Sequence, residues 1–98
     1  MNNRDVAILF HEIAAAYIAL GENRFKIIAY EKAADIIENY PTEIKSVWQD
    51  GKLGDIPGIG TAIFGHLDEL FKTGHVSHFE SVKSHLPAGM FELLKIPG

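Results

Sequence analysis

Apolar residues recur three and four positions apart along most of the chain, and polar or glycine-containing breaks interrupt them. That spacing marks amphipathic helices. Val6, Phe10, Ile13, Tyr17 and Leu20 form the first apolar face, on a helix expected over Arg4 to Leu20 with Asn3 as its cap and Gly21 as its end. A second helix is expected from about Phe25 to Asn39, with Ala29, Ala33, Ile36 and Ile37 inward and Pro41 as its stop. Thr42 is placed to cap a short third helix that turns Ile44, Val47 and Trp48 inward, and Gly51 is its C-terminal glycine. A fourth helix starts at Thr61, carries Ile63, Leu67 and Leu70, and breaks at Gly74. A fifth holds Phe79, Val82 and Leu86, and Pro87 opens a last one with Phe91 and Leu94. No segment alternates with the period of a strand. The pattern predicts an all-α domain, a bundle of five to six short helices.

One break carries more information than the others. Ile56-Pro57-Gly58-Ile59-Gly60 leads directly into the fourth helix. Pro57 cannot continue a helix, and Gly58 and Gly60 are expected in conformations that a Cβ would forbid. Ile56 and Ile59 are expected to pin the turn to the core. A helix N-terminus presents unpaired N–H groups and the positive end of its dipole, so a phosphate can dock there. A plain connection between helices is the competing reading.

Composition narrows the options. The 98 residues are 47% hydrophobic and 22% charged, which suits one globular domain and not a disordered chain. The absence of cysteine excludes disulfides and cysteine-based zinc sites and fits an intracellular, cytoplasmic protein. No apolar run reaches the ~20 residues of a membrane span, so no membrane partner is expected. The net charge of −4 excludes a strongly basic nucleic-acid binder. Residues 1–50 hold −3 of that charge, and residues 51–98 hold −1 together with four of the five histidines.

Leu53-x-x-Ile56-Pro57-Gly58 is echoed by Leu93-x-x-Ile96-Pro97-Gly98. The echo divides the chain into a domain over 1–92, with a hairpin motif at 53–74, and the start of a second hairpin over 93–98. Such a truncated copy fits a piece of a longer protein. The segment from Gly21-Glu22-Asn23 through Phe25 to Ala29-Tyr30 and Ala33-Ala34 resembles one found in family X DNA polymerases. Leu53 to Gly74 resembles the first helix-hairpin-helix of that family, and Leu93 to Gly98 the opening of the second. The likeness covers nearly the whole chain and corresponds to the N-terminal, polymerase beta-like domain.

The resemblance implies a sequence-independent DNA-binding module that grips gapped or nicked duplex DNA during repair synthesis. Its polymerase active site, with its divalent metals, would lie in C-terminal domains outside this chain. The implied DNA contacts are the amides of Gly58, Ile59, Gly60, Thr61 and Ala62, joined by Lys26, Tyr30, His66, His75 and His78. Main-chain carbonyls at Gly54, Ile56 and Ile59 match those that hold a monovalent cation, Na+ or K+, beside the phosphate.

Some family features are absent. His66 stands where some members carry the lysine that removes a 5′-deoxyribose phosphate, and imidazole cannot form a Schiff base. Ala62 and Gly54 replace two further basic residues. Phe64 stands where a small residue normally packs, so an altered crossing of the motif's helices is expected. This chain is therefore expected to be non-catalytic. A protein-interaction module on the same scaffold is one alternative, and a lyase using another lysine, Lys72 or Lys26, is a second.

His75-x-x-His78 has the spacing to present two imidazoles on one helix face. Without cysteine or a carboxylate partner, these histidines read as solvated residues rather than as metal ligands. Trp48, Phe64, Phe71 and Phe79 have the spacing of core residues rather than of base-stacking platforms and are assigned there; Lys26 and Lys32, one and a half turns apart, are placed to track a DNA backbone, with two solvated lysines as the competing reading.

Overall fold

The computed structural model describes residues 1–86, and these form five α-helices, one 3₁₀ turn and no strand. The helix expected from Pro87 and the echo at Leu93–Gly98 lie outside the described residues. Helices α1 (Asn3–Ala19) and α2 (Arg24–Glu38) form an antiparallel pair. α3 (Ile44–Gln49), the 3₁₀ turn (Leu53–Asp55), α4 (Thr61–Thr73) and α5 (Ser77–Ser84) follow in order. No helix among the described residues is long and apolar enough to cross a membrane.

The first cap falls one residue earlier than expected. Asn2 caps α1, its Oδ1 accepting the Asp5 N–H at 2.9 Å. Asn3 is already helical and works over a longer distance. Its side-chain NH2 donates to the Thr42 carbonyl, and its Oδ1 accepts the Ile44 N–H, both at 2.7 Å. Asn3 therefore caps α3 from across the chain. Thr42 does not, and the local N-cap residue Glu43 makes no side-chain cap bond. α2 is capped by Asn23, whose Oδ1 accepts the Phe25 N–H at 2.8 Å. Gly74 closes α4 in the left-handed region at φ 87°.

The core combines Phe10, Ile13 and Tyr17 of α1, Tyr30, Ala33 and Ile37 of α2, Leu67 of α4 and Phe79 of α5. Phe79 sits edge-on to Phe10 at 5.3 Å and to Tyr30 at 6.0 Å. Truncating so enclosed an aromatic costs about 3–5 kcal/mol. Ile56 and Ile59 are buried, so the hairpin is anchored as expected.

Three expected core positions are exposed. Leu20 falls beyond the helix at the C-cap and is exposed. Ala29 is exposed, because the inward stripe of α2 runs through Tyr30, Ala33 and Ile37. Phe64 is 39% exposed; its ring lies over Gly54, not between the motif's helices. Trp48 and Phe71 are partly buried, with ring centroids 5.4 Å apart.

Candidate functional site

The hairpin between the 3₁₀ turn and α4 is held close to α2. Gly58 adopts φ +91°, and a Cβ built on it would run into Ile36 Cδ1 of α2. Glycine is therefore required there by both backbone and space. Gly60 differs from expectation. Its φ is −79° and its ψ is 176°, an extended conformation open to any residue, and a Cβ there would meet nothing within 4 Å. Lacking a side chain, Gly60 makes no cap bond to α4, while its carbonyl accepts the Phe64 N–H at 2.8 Å. The first amides of α4, on Thr61 and Ala62, are thus left without a side-chain cap at the positive end of the helix dipole.

Thr61 and Ala62 line a groove of about 430 Å³ between α2 and the hairpin. Gly58, Gly60, Thr61 and Ala62 line one wall, and Lys26, Ala29, Tyr30 and Lys32 line the other. The groove therefore gathers most of the contacts implied by the sequence. Ile59 is not among its lining residues. Its side chain is buried, and its amide donates to the Ile56 carbonyl at 3.2 Å within the turn. Lys26 is steered by Glu22, 3.4 Å away, and sits 4.8 Å from the centre of the Tyr17 ring.

Tyr30 lines the groove but is only 4% exposed, enclosed by Phe10, Tyr17, His66 and Phe79. Its ring has no free face on which a base could stack. The most exposed aromatic among the described residues is Phe25 at 82%, beside Lys26 at the start of α2. The sequence reading gives Phe25 no DNA contact, and it leaves Lys32 open between a backbone contact and a solvated lysine. The available signal was helical register, since Phe25 falls off the Tyr30–Ala33–Ile37 stripe.

On the other side of the hairpin, Gly54, Ile59, Gly60, Thr61 and Phe64 line a hollow of about 220 Å³. Of the three carbonyl positions matched to a cation, Gly54 and Ile59 belong to residues of this hollow. Ile56 does not, and its carbonyl already accepts an N–H.

The histidines separate. His66 of α4 and His78 of α5 stack with centroids 5.2 Å apart and planes 7° from parallel. The Tyr17 hydroxyl meets His78 Nε2 at 2.6 Å. Burial, then the proximity of Tyr30, pushes the Tyr17 phenol well above its usual range, and the direction of its bond to His78 Nε2 is set by the imidazole tautomer. Burial lowers the pKa of both imidazoles. His78 adds to the effect on His66, and Lys26 adds to the effect on His78. His75 precedes α5, and its Nδ1 lies 3.9 Å from Glu80. His75 and His78 therefore do not form the expected pair on one helix face. Lys72 pairs with Asp68 at 2.9 Å, and Asp68 also accepts the Trp48 indole N–H at 2.8 Å. Those contacts hold the Asp68 carboxyl below its usual range.

Residues 1–76 match the family model described as a helix-hairpin-helix domain. The chain is 42% identical over 82 residues to DNA polymerase lambda of Arabidopsis thaliana, covering 81% of this chain and 15% of that protein. It is 31% identical over 98 residues to the DNA polymerase/3′-5′ exonuclease PolX of Bacillus subtilis (strain 168), covering 100% of this chain and 17% of that protein. It thus spans less than a fifth of the length of these curated relatives. The chain belongs to the helix-hairpin-helix domain family and is homologous to the N-terminal part of family X polymerases.

Proposed function

From that membership we propose that the chain is a sequence-independent DNA-binding module, the part of a family X polymerase that holds gapped or nicked duplex during gap-filling repair. One observation carries the reading. The uncapped start of α4, the open Gly60 and the lysines of α2 meet in a single groove. A phosphate oxygen there accepts N–H bonds from Thr61 and Ala62, and Lys26 and Lys32 neutralise the flanking charge. None of these groups reads a base edge, so binding is independent of sequence.

The exposed ring of Phe25 offers a face to an unstacked base at the gap. The carbonyls of Gly54 and Ile59, beside the hollow across the hairpin, are neutral oxygen donors that suit Na+ or K+. Such an ion would add positive charge behind the phosphate that the missing lysines do not supply. His66 stays a stacked, neutral imidazole and gives no Schiff base, so borohydride in the presence of a 5′-deoxyribose-phosphate end traps no covalent adduct. A strong band lost on Lys26→Ala or Lys72→Ala would reverse that.

Fluorescence anisotropy with a 5′-phosphorylated gapped duplex tests the binding reading. Wild type binds with affinity that falls as salt rises, and Gly60→Val does not bind. A chain that ignores DNA at low salt is instead an interaction module for another protein.

A further inference from the structure

Away from the groove, His11 of α1 approaches Asp35 and Glu38 of α2. One ligand atom from each, the imidazole nitrogen and two carboxylate oxygens, can be chosen so that all lie within 4.8 Å of one another. The His11 Nε2 to Asp35 Oδ1 distance is 3.7 Å. A tetrahedral zinc ion with bonds of about 2.0–2.1 Å places its ligand atoms roughly 3.3–3.4 Å apart. Modest rotation of the exposed Asp35 and Glu38 side chains closes the difference.

A second feature points the same way. Asp35 and Glu38 occupy the last turn of α2, which holds no basic residue. Both carboxylates therefore sit at the negative end of the helix dipole, where a cation is favoured and an anion is not. Glu38 stands about two and a half turns from Ala29 of the groove wall, on the opposite side of α2.

We propose that His11, Asp35 and Glu38 form a divalent transition-metal site, taking Zn2+ or an ion of similar preference. One nitrogen and two carboxylate oxygens suit Zn2+ better than Mg2+ or Ca2+, which favour all-oxygen shells. Three protein ligands leave a fourth position for water. Neutral imidazole and two carboxylates balance the ion's charge. The ion bridges α1 and α2 and stabilises the pair without touching the groove.

The test is calorimetric titration of the chain with Zn2+ at neutral pH, with thermal unfolding alongside. Wild type takes up one ion per chain and melts roughly 10 °C or more higher at a hundredfold excess over Kd. Glu38→Gln, at an exposed position, and His11→Gln, at a partly buried one, each weaken uptake by at least about tenfold. The His66→Gln/His78→Gln variant, which removes the stacked imidazoles, binds like wild type. The absence of saturable uptake by wild type overturns the proposal. So does uptake that survives His11→Gln and Glu38→Gln, or that disappears with His66 and His78.

Discussion

The groove and the histidine stack lie on either side of Lys26 and Tyr30, and they are built from different materials. The hairpin side of the groove is mostly backbone, two glycines and the first residues of a helix, and it faces Lys26, Ala29, Tyr30 and Lys32 of α2. The stack is entirely side chain, two imidazoles and a phenol drawn from three helices. A backbone site tolerates wide substitution provided the chain keeps its path. A side-chain site changes its chemistry with one replacement. The proposed phosphate-docking role therefore rests on the groove.

The sharpest way to break this comparison is to attack the two glycines separately. Gly58→Val forces a β-branched residue into the left-handed region against Ile36 and is expected to cost about 2–5 kcal/mol, lowering the melting temperature and abolishing DNA binding together. Gly60→Val has no such conflict. Its melting temperature is expected to stay near wild type while anisotropy with DNA collapses. Normal binding by folded Gly60→Val would remove the groove from consideration.

Phe25→Ala comes next. Loss of one base-stacking surface is worth about 1–3 kcal/mol, or roughly 5- to 150-fold in affinity for gapped DNA, with little change for intact duplex, which offers no unstacked base. Equal losses on both substrates would assign the ring to something other than a gap. Smaller still is the Lys26→Ala/Lys32→Ala double variant. The wild-type slope of log K against log[salt] is expected near −2 to −3, and removing two phosphate contacts should flatten it by about 1.8. A wild-type slope near −8 would reveal a basic face elsewhere on the domain.

The smallest expected effect separates the two regions by sign. The imidazole pKa values of His66 and His78 are lowered in the folded chain relative to 6.5. The unfolded chain therefore binds more protons between the folded values and about 6.5. Stability is full above that pH and declines as pH falls through the window, by a few degrees in melting temperature. Lys26 faces the pair from α2, as do Tyr17 of α1, Glu22 and Glu69. DNA should act in the opposite direction. A nearby phosphate favours imidazolium, so binding tightens on acidification and takes up protons, visible as buffer-dependent heat. The His66→Gln/His75→Gln/His78→Gln variant should lose both effects. If its pH dependence is unchanged, the histidines are bystanders and net charge sets the response.

Much of this architecture is legible in the chain because it is local. The helical period of α1, the hairpin string and the glycines after α1, α3 and α4 each depend on residues within a few positions of one another. What sequence reasoning missed is mostly non-local. Nothing near Asn3 indicates that its amide reaches a backbone N–H at position 44. The burial of Tyr30 depends on α5 supplying Phe79, and the stack depends on α5 bringing His78 over α4. Gly60 illustrates a different limit. Two glycines in one motif look alike in letters, yet Gly58 is demanded by its dihedral angle and a neighbouring methyl, while Gly60 is not. Phe64 was placed in the core on its hydrophobicity, but its register on α4 turns it outward over Gly54.

The Asn3 clasp also bears on how the domain assembles. Fastening position 3 to position 44 closes a long loop, and the entropy of such closure must be met before the bonds return anything. The antiparallel pairing of α1 and α2 fills most of that loop and brings its ends together. Once the pair has docked, Asn3 meets the start of α3 at little further entropic cost. In kinetic terms the clasp is expected to be a late contact, so that Asn3→Ala speeds unfolding more than it slows folding.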